Sequence, residues 1–442
     1  MRSESRDQKL FHYRGEIPAS KSILNRLLVC QSYTTALHST TLRSTTLPTT
    51  ALDVKGESRC DDVLKMRQGL ESLFQGKAVD CGAAGTTLRF LALRASRLPG
   101  QHRLIGTPRL LSRPQQTLVE IAAQLAVKFD VGPTQIGISS QGWMPPKGPI
   151  LVDRSQSSQF LSALVLNAWE LPFDLRLQMV GGDLSEGYWQ MTRQLVERLG
   201  MKLKFDSVSN ELLIEKGQGI DCTEIRAESD LSSAFAVAAF AALGGQVELE
   251  NFPLEGSLQP DVAFVGILEQ MGLKVESLKA SSSSSVEPTT GLLRISQSPG
   301  SGLNGNSLKP IEVNLGNCPD LFPVLAILCS LAKGPSRLYG APQLVHKESN
   351  RIAKVAELLE IMGRSCQPQP DGMLIEGRPP DFLASKSPVA FDPDHDHRLA
   401  FAAALAAHAG CPIEVTEPSV VNKSFPEFWE VVAEGQSQGG IP

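Results

Sequence analysis

Ala19-Ser20-Lys21-Ser22 leads directly into an apolar stretch that begins at Ile23, and this kind of start recurs along the whole chain. Each time, a short cluster of Ser, Thr, Asp or Gly residues precedes an Ala- and Leu-rich segment, usually with a cation nearby. Such residues are typical helix N-caps, because they satisfy the free N–H groups of the first turn. The other instances are Gly85-Thr86-Thr87-Leu88-Arg89, Ser157-Ser158-Gln159-Phe160, Asp230-Leu231-Ser232-Ser233, Pro319-Asp320-Leu321-Phe322 and Asp396-His397-Arg398.

The recurring helix starts indicate a protein that binds something strongly anionic. A helix N-terminus carries partial positive charge and open N–H donors, and it therefore attracts anions. The cations near several starts strengthen this interpretation, because the chain as a whole has a net charge of −5. The alternative is that these are ordinary capped helices of an α/β protein.

Length and composition indicate a two-domain globular protein. A chain of 442 residues exceeds what one hydrophobic core commonly supports. The hydrophobic fraction of 42% and the charged fraction of 20% are ordinary for a soluble protein. The net negative charge argues against a general nucleic-acid surface, and no apolar run reaches the roughly 18 residues of a membrane span.

Cysteine usage and the first residues favour the cytoplasm. The eight cysteines are scattered without a CxxC pair, which is typical of reduced thiols in a cytosolic protein. The opening Met-Arg-Ser-Glu-Ser-Arg has no apolar signal core. We therefore expect a cytoplasmic monomer with no membrane or nucleic-acid partner.

Helical and strand-like segments alternate, which favours layered α/β units over a plain doubly wound sheet. The pattern predicts helices over residues 22–31, 62–74, 117–128, 190–199, 262–271 and 355–362. It predicts strands over residues 175–180, 203–205, 211–214, 247–251, 293–295 and 413–416. Chain crossovers near residues 17–19 and 227–229 would give one domain of residues 19–227 and a second of residues 1–18 plus 228–442.

Two low-complexity stretches interrupt the alternation. Residues 34–51 are rich in Thr and are interpreted as an insertion, and residues 281–285 are a pure serine run that is typical of a surface loop.

The first helix start carries a charged pattern of its own. Lys21 and Ser22 would lie at the helix mouth, and Arg26 would lie one turn beyond Ser22 on the same face. This arrangement suits a phosphate or carboxylate, although a solvated amphipathic helix would look similar.

A second cationic segment is Gly106-Thr107-Pro108-Arg109-Leu110-Leu111-Ser112-Arg113-Pro114. Pro114 fits the first position of a helix, which would leave Arg113 at the helix N-terminus. A cation there opposes the helix dipole, so it favours a bound anion. The alternative is a surface arginine that pairs with Glu120.

Lys347-Glu348-Ser349-Asn350-Arg351 combines two cations with a carboxylate. Lys347 and Arg351 stand four residues apart, which predicts one helical face. Like charges at that spacing are mildly unfavourable unless an anion lies between them. Glu348 would be kept ionised and poised for proton transfer; a charged surface turn is the alternative.

The segment from Asp392 to Arg398 alternates Asp and His, which are suitable metal ligands. Ligands this close in sequence cannot all face one ion, and the other helix starts offer no ligand cluster. We therefore expect no metal, and we interpret the segment as a helix cap that presents His397 and Arg398.

Taken together, the ordered motifs resemble the 5-enolpyruvylshikimate-3-phosphate synthase family of enolpyruvyl transferases. They lie in family order between about residues 14 and 430. They are Ser20-Lys21-Ser22-x-x-Asn25-Arg26, Asp61-Asp62-Val63, Ala84-Gly85-Thr86-Thr87-x-Arg89, Pro108-Arg109-x-x-x-Arg113-Pro114, Ser157-Ser158-Gln159-Phe160, Asp230-x-Ser232-Ser233, Pro319-Asp320, Lys347-Glu348-Ser349-x-Arg351, Asp396-His397-Arg398 and Asn422-Lys423-Ser424-Phe425-Pro426.

The resemblance implies a fold and a reaction. The fold is the inside-out α/β barrel, with two domains of three βαβαββ units each and helix N-termini facing the interdomain cleft. The reaction transfers the enolpyruvyl group of phosphoenolpyruvate to the 5-hydroxyl of shikimate 3-phosphate by addition and elimination. Charge placement and proton transfer suffice for this chemistry, so no metal or organic cofactor is expected.

The resemblance also implies roles for individual residues. Asp320 would accept the proton of the attacking hydroxyl, Glu348 would protonate the methylene carbon, and Lys21 would stabilise the departing phosphate. The phosphoenolpyruvate side comprises Lys21, Gly85, Arg113, Gln159, Arg351, Arg398 and Lys423. The shikimate 3-phosphate side comprises Lys21, Ser22, Arg26, Ser157, Ser158, Gln159, Ser185, Asp320 and Lys347.

The chain departs from the family pattern at four positions. Ala19 replaces a usual Gly, Ala83 replaces Asn, Ser112 replaces Glu, and Glu186 follows Ser185 where a basic residue is common.

Two alternative functions remain open at this point. One is the sister enzyme acting on UDP-N-acetylglucosamine, which commonly carries a reactive Cys at the position of Pro108. The other is a binder of anionic metabolites without turnover, which would not require Asp320 and Glu348.

Overall fold

Two compact units divide the chain. In the computed structural model, unit N consists of Ala19–Ala227, and unit C combines Met1–Pro18 with Glu228–Pro442. The structure describes residues 10–34, 51–182, 185–279, 289–297, 308–379 and 387–438. Most of the Thr-rich stretch and the whole serine run lie outside these described residues.

The helices begin close to the recurring cap clusters. In chain order they are α1 Lys21–Gln31, α2 Asp61–Phe74, α3 Gly85–Ser96, α4 Pro108–Leu111, α5 Gln116–Gln124, α6 Gln159–Leu166, α7 Glu186–Arg198, α8 Leu231–Ala238, α9 Phe264–Gln270, α10 Phe322–Ser330, α11 Arg351–Ile361, α12 His397–His408 and α13 Phe428–Gln438. Short 3₁₀ helices lie at Ala239–Leu243, Pro260–Ala263, Pro319–Leu321, Pro342–His346 and Pro418–Lys423.

The strands are short and lie between the helices. They are β1 Phe11–Glu16, β2 Asp53–Lys55, β3 Val79–Asp80, β4 Gly100–Ile105, β5 Lys128–Val131, β6 Gln135–Ser140, β7 Ile150–Asp153, β8 Leu175–Val180, β9 Leu203–Asp206, β10 Glu211–Ile214, β11 Glu224–Arg226, β12 Gly245–Pro253, β13 Leu273–Lys279, β14 Thr290–Gln297, β15 Glu312–Asn314, β16 Gly334–Tyr339, β17 Cys366–Gln369, β18 Gly372–Gly377, β19 Val389–Phe391 and β20 Ile413–Val415.

Each unit repeats one sheet topology. Unit N contains the four-stranded sheets β3-β4-β6-β5 and β7-β8-β10-β9, and unit C contains β1-β12-β14-β13 and β15-β16-β18-β17. In each of these sheets the first two strands pair in parallel, and the last two form an antiparallel hairpin. A two-stranded parallel sheet, β2-β11 or β19-β20, is the third described sheet of each unit.

The helices form the inside of each unit, and the sheets form its outer layer. Every residue of α10 is buried, and so is α6 from Phe160 to Leu166. Strands such as β6 and β8 instead alternate buried and exposed side chains, so that one face of each sheet meets solvent. Burial of such apolar side chains contributes about 2 kcal/mol for each Leu or Phe and fixes the helices in place.

Four predicted helices end or begin differently in the structure, and two of them, α7 and α11, begin four residues earlier than predicted, at Glu186 and Arg351. The helix predicted over residues 117–128 ends at Gln124, because Ala126 adopts a positive φ of 60° and Lys128 starts β5. The segment predicted as a helix over residues 262–271 begins with a 3₁₀ turn at Pro260–Ala263 before α9. Among the described residues, no helix has both the length and the apolar character to cross a membrane.

Candidate active site

The starts of α1 and α2 meet in unit N through an ion pair. Nζ of Lys21 lies 3.0 Å from Oδ2 of Asp62, and both side chains are largely buried. Lys21 is the first residue of α1, and Asp62 lies in the first turn of α2. The pair therefore holds a predicted catalytic cation at a helix mouth.

Arg26 joins three helices of unit N. Its guanidinium donates to the Ser22 carbonyl at 2.7 Å, to Oγ1 of Thr192 at 2.7 Å and to the Tyr188 carbonyl at 3.3 Å. It also lies over the ring of Phe90. Burial lowers the pKa of Arg26 to about 10, so the guanidinium stays charged at neutral pH. The predicted one-turn spacing between Ser22 and Arg26 is confirmed.

The starts of α3 and α6 are joined by Arg89. Its Nη1 donates to Oε1 of Gln159 at 2.7 Å and to Oγ of Ser157 at 3.4 Å, and its Nη2 donates to the Pro114 carbonyl at 3.4 Å. Gln159 in turn donates to Oγ1 of Thr86 at 3.3 Å. Three motifs that are distant in sequence therefore converge on one guanidinium.

Gly85 makes room for the neighbouring polar side chains. A Cβ at this position would lie 3.0 Å from Nη1 of Arg113 and 3.9 Å from Oε1 of Gln159. A side chain at residue 85 would therefore push Arg113 away from the start of α3.

Arg113 does not stand at a helix N-terminus, so the prediction from Pro114 was wrong. The segment forms the short helix α4 with Pro108 in its first turn, and α5 begins only at Gln116. The Thr107 side chain caps α4, because it accepts a hydrogen bond from the Leu110 amide. Nε of Arg113 is buried and has no hydrogen-bond partner among the described residues.

The predicted serines lie at two further helix starts of unit N. Ser158 is the N-cap of α6 and is almost fully buried, and the Ser157 hydroxyl accepts from the Gln159 amide at 3.2 Å. Ser185 precedes α7 in a left-handed conformation with φ of 57°, which costs a non-glycine residue free energy. Such outliers cluster at functional sites.

In unit C, three cations surround Asp320. Its Oδ1 accepts from Nη1 of Arg351 at 2.7 Å and from Nζ of Lys347 at 3.4 Å, and its Oδ2 accepts from Nη2 of Arg398 at 2.7 Å. Burial opposes ionisation of this carboxyl, but Arg398, Lys347 and Arg351 outweigh it and hold the pKa of Asp320 well below its usual range. Asp320 is therefore an ionised carboxylate at neutral pH.

Arg351 is the centre of a buried charge cluster. Its Nε lies 2.8 Å from Oδ2 of Asp396, and its Nη2 lies 3.0 Å from Oε2 of Glu348. Burial opposes the charge of Arg351, but Asp396, Asp320 and Glu348 outweigh it and raise the pKa of the guanidinium well above its usual value. Asp396 also caps α12, since it accepts from the Arg398 amide at 3.1 Å. The starts of α10, α11 and α12 thus meet in one cluster.

The predicted shared helical face of Lys347 and Arg351 was wrong. Lys347 has an extended backbone and ends the 3₁₀ helix at Pro342–His346, whereas Arg351 begins α11. The two cations come together through Asp320 instead. Lys423 ends the 3₁₀ helix Pro418–Lys423 and is 8% exposed, and its place beside the other cations stays a prediction.

Three residues of this geometry were quoted in motifs without a role. They are Asp62 beside Lys21, Arg89 beside Gln159, and Asp396 beside Arg351. The available signals were a carboxylate in the first turn of the predicted helix for Asp62, and a cation next to a cap cluster for Arg89. The partner of each residue could not be read from sequence, because each pair joins segments that are distant along the chain.

Comparison with known proteins is consistent with this geometry. The family profile described as EPSP synthase (3-phosphoshikimate 1-carboxyvinyltransferase) matches residues 16–432. The 3-phosphoshikimate 1-carboxyvinyltransferase of Syntrophobacter fumaroxidans is 32% identical over 357 residues, which cover 79% of this chain and 78% of the relative. The chloroplastic enzyme of the same name from Petunia hybrida is 28% identical over 94% of this chain and 82% of its own length.

Solved structures support the fold. An EPSP synthase from Acinetobacter baumannii matches with a TM-score of 0.71 at 22% identity, covering 97% of this chain and 96% of that one. This likeness confirms the predicted fold class, the two-domain inside-out α/β fold.

Proposed function

The chain belongs to the EPSP synthase family, and we propose that the charged clusters of its two units divide the work of its reaction. The protein is a transferase that moves the enolpyruvyl group of phosphoenolpyruvate to the 5-hydroxyl of shikimate 3-phosphate, giving 5-enolpyruvylshikimate 3-phosphate and phosphate. It acts in aromatic amino acid biosynthesis through the shikimate pathway.

In the proposed division, unit N supplies mainly anion binding. Lys21, Gly85, Arg113 and Gln159 would hold phosphoenolpyruvate. Charge-assisted hydrogen bonds from arginine to carboxylate or phosphate are about twice as strong as neutral ones. The buried Nε of Arg113 without a partner among the described residues supports its role as a donor that the substrate completes.

The shikimate 3-phosphate side would come largely from the other helix starts of unit N, with contributions from Asp320 and Lys347 of unit C. The residues of unit N assigned to it are Lys21, Ser22, Arg26, Ser157, Ser158, Gln159 and Ser185. Lys21 and Gln159 would serve both substrates, and Lys21 would also stabilise the departing phosphate.

Unit C would supply the proton transfers together with part of the phosphoenolpyruvate site, from Arg351, Arg398 and Lys423. Glu348 is 18% exposed and hydrogen-bonded to Arg351, which holds its carboxylate in place within the cluster. To protonate the methylene carbon, it would first take up a proton from solvent or from a substrate. A positioned acid of this kind contributes typically about 10²–10⁴-fold in rate.

Asp320 is proposed to orient the 5-hydroxyl and to accept its proton late in the addition step. Three cations depress its pKa, and each pKa unit makes proton acceptance about 1.4 kcal/mol less favourable. The anionic groups of phosphoenolpyruvate would draw Arg351 and Arg398 toward themselves. Asp320 would thereby regain basicity as the substrate binds.

The observation that carries this proposal is the convergence of Lys347, Arg351 and Arg398 on Asp320, with Glu348 on the same arginine. A non-catalytic binder of anions has no use for two carboxylates inside its cation cluster, because they cancel the attraction. Pro108 at the position of the reactive Cys of the sister enzyme disfavours UDP-N-acetylglucosamine as the substrate.

Phosphate release tests the proposal. We expect one phosphate per shikimate 3-phosphate consumed in the presence of phosphoenolpyruvate, and no release with UDP-N-acetylglucosamine in its place. Release with the nucleotide sugar would point to the sister activity. Binding of shikimate 3-phosphate without any release would point to the non-catalytic binder.

We further propose a cytoplasmic monomer that needs no metal or organic cofactor. All eight cysteines are free thiols, which supports a reducing compartment. Light scattering coupled to size exclusion tests the monomeric state.

A further inference from the structure

Arg154 and Glu186 form an ion pair in unit N whose arginine is buried and whose carboxylate is partly exposed. Nη1 of Arg154 lies 2.6 Å from Oε2 of Glu186, and the Arg154 side chain is 6% exposed. The other carboxylate oxygen, Oε1, accepts from Nε2 of Gln190 at 2.7 Å. Glu186 is one of the departures from the family pattern, since a basic residue commonly stands there.

Parallel strands place this pair between two groups of substrate-side serines. β7 and β8 pair in parallel with Asp153 opposite Val180, so their carboxyl ends lie at the same sheet edge. The Arg154 amide continues the ladder with a bond of 3.0 Å to the Val180 carbonyl. After β7 the chain continues through Arg154 to Ser157, and after β8 it continues to Ser185.

The two segments that follow β7 and β8 are also held close to the strand ends. Both carboxylate oxygens of Asp153 accept from Ser155, from its amide at 2.8 Å and from its hydroxyl at 2.9 Å. Gly181 has a φ of 80°, and a Cβ there would collide with Oδ1 of Asp153. The ion pair is therefore a bridge between two turns whose backbones already pass close to each other.

The charge of Glu186 needs compensation at this place. Glu186 is the first residue of α7, next to Ser185, which is proposed to contact the anionic substrate. An uncompensated carboxylate there would repel the phosphate, because like charges lower affinity at short range. Arg154 supplies the compensating positive charge from the neighbouring segment.

We propose that Arg154 and Glu186 are positioning residues for shikimate 3-phosphate. Their ion pair fixes the turns bearing Ser157, Ser158 and Ser185, and the positive charge of Arg154 cancels the negative charge of Glu186. The proposal rests on the proposed function for its substrate.

A matched control lies on the same helix. Arg154, Glu186, Trp189 and Arg193 line one cavity of about 240 Å³. Arg193 pairs with Glu197 at 3.1 Å, and both side chains are about one-third exposed. Exposed pairs of this kind contribute little. Arg193→Met therefore removes a cation from the same helix and cavity without touching the bridge.

Steady-state kinetics of single and double variants test the proposal. Arg154→Met should raise KM for shikimate 3-phosphate about tenfold and at least three times more than KM for phosphoenolpyruvate, since the Glu186 carboxylate loses its partner beside the proposed phosphate contact. The double variant Arg154→Met/Glu186→Gln should recover only the part of the loss that comes from the uncompensated carboxylate, so its KM for shikimate 3-phosphate should lie between those of Arg154→Met and wild type. Arg193→Met should leave both KM values within about twofold.

Three results would overturn it. They are equal effects of Arg154→Met on the two KM values, no recovery in the double variant, or the same loss in Arg193→Met. Each would reduce Arg154 to an ordinary stabilising residue.

Hydrogen exchange on the substrate-free protein separates this proposal from the proposed function. Arg154→Met should speed amide exchange at the starts of both α6 and α7, whereas Arg193→Met should not. If wild type proves inactive while this exchange pattern is found, the substrate assignment fails and the bridge stands. If wild type is active and exchange at the two starts is unchanged, the bridge fails and the function stands.

Discussion

The two units place cations at helix starts in different ways. In unit C, Asp230, Asn350 and Asp396 cap their helices with side-chain hydrogen bonds. In the described part of unit N, the N-cap residues Ser20 and Ser158 make no such bond. Unit C therefore satisfies the starts of these three helices with side chains, whereas among the described helices of unit N only α4 is capped in this way, by Thr107.

The partners of the cations differ in the same sense. Arg351 and Arg398 of unit C lie against carboxylates. Arg26 and Arg89 of unit N donate to carbonyl, hydroxyl and amide oxygens. Lys21 with Asp62 and Arg154 with Glu186 are exceptions in unit N. The difference supports the proposal that cations near a helix start attract anions in unit N and hold carboxylates ionised in unit C.

The largest effect, on the free energy of unfolding, is expected from a variant that breaks the charge cluster around Arg351 in unit C. Arg351→Met should lower the free energy of unfolding by about 3–5 kcal/mol, because it leaves buried carboxylates without their partner. Urea denaturation followed by circular dichroism measures this. Arg113→Met in unit N is the matched control and should change it by less than about 1 kcal/mol. Equal losses in the two variants would remove the distinction between the units.

Next in size is the effect on turnover. Glu348→Gln should lower kcat by about 10²–10⁴-fold while sparing substrate binding, because the amide keeps the shape but cannot relay a proton. Stopped-flow turnover and calorimetric binding of shikimate 3-phosphate check the two halves of this statement. Near-normal turnover would mean that Asp320 or Lys21, and not Glu348, donates the proton.

The far end of α12 gives a prediction about pH. His408 packs against the rings of Phe11 and Phe240, which stack on each other, and burial lowers its pKa to about 4 from 6.5. Between these values the unfolded chain binds the proton more readily, so stability should fall as pH drops from 6.5 to 4 and should be unaffected by His408 above 6.5. The full loss is about 3 kcal/mol.

Replacing the His408 ring should make stability less dependent on pH between 6.5 and 4. His408→Gln should reduce the decrease in melting temperature between pH 6.5 and 4, and the surface residue His395, changed to Gln, is the control. If His408→Gln shows the same decrease in melting temperature between pH 6.5 and 4 as wild type, the pKa of His408 is not lowered by the fold.

A smaller effect is expected from replacing Arg113, whose Nε has no hydrogen-bond partner among the described residues. Arg113→Ala should raise KM for phosphoenolpyruvate about tenfold and change kcat less, since it removes a contact made in both the ground state and the transition state. Initial rates over a range of phosphoenolpyruvate concentrations measure both constants. A loss confined to kcat would place Arg113 in the chemical step.

The smallest effect concerns the space beside this arginine. Gly85→Ala would place a methyl group 3.0 Å from Nη1 of Arg113. The flexible side chain can shift, so KM for phosphoenolpyruvate should rise only a few-fold. The variant Gly85→Ala/Arg113→Ala should show no additional loss over Arg113→Ala alone, and additive losses would contradict the proposed contact.

The sequence predicted local features well, because they depend on neighbouring residues. Cap clusters before apolar runs located the starts of α1, α3, α6, α8 and α12 to within one or two residues. Where a turn intervened, the prediction failed. Pro114 looked like a helix start because α4 ends unexpectedly early at Leu111, and Lys347 looked helical because a four-residue spacing resembles a helical turn.

Contacts between distant segments were beyond sequence reasoning. Nothing near Asp320 predicts that Arg351 and Arg398 lie against it, and only the family resemblance placed them in one site. The pair of Arg154 and Glu186 was not predicted at all, since their proximity follows from the parallel alignment of β7 and β8. Such pairs require the sheet topology, which local patterns do not specify.

Deuterium transfer tests the central claim most directly, that a carboxylate of unit C moves the proton. Addition places a proton on the methylene carbon of phosphoenolpyruvate, and elimination removes one. In D₂O, wild type should therefore introduce deuterium into the enolpyruvyl group of the product, measured by mass spectrometry. Arg113→Ala should do the same at saturating substrate. Glu348→Gln should bind both substrates yet incorporate deuterium about 10²–10⁴-fold more slowly than wild type. Incorporation by Glu348→Gln at the wild-type rate would contradict the account.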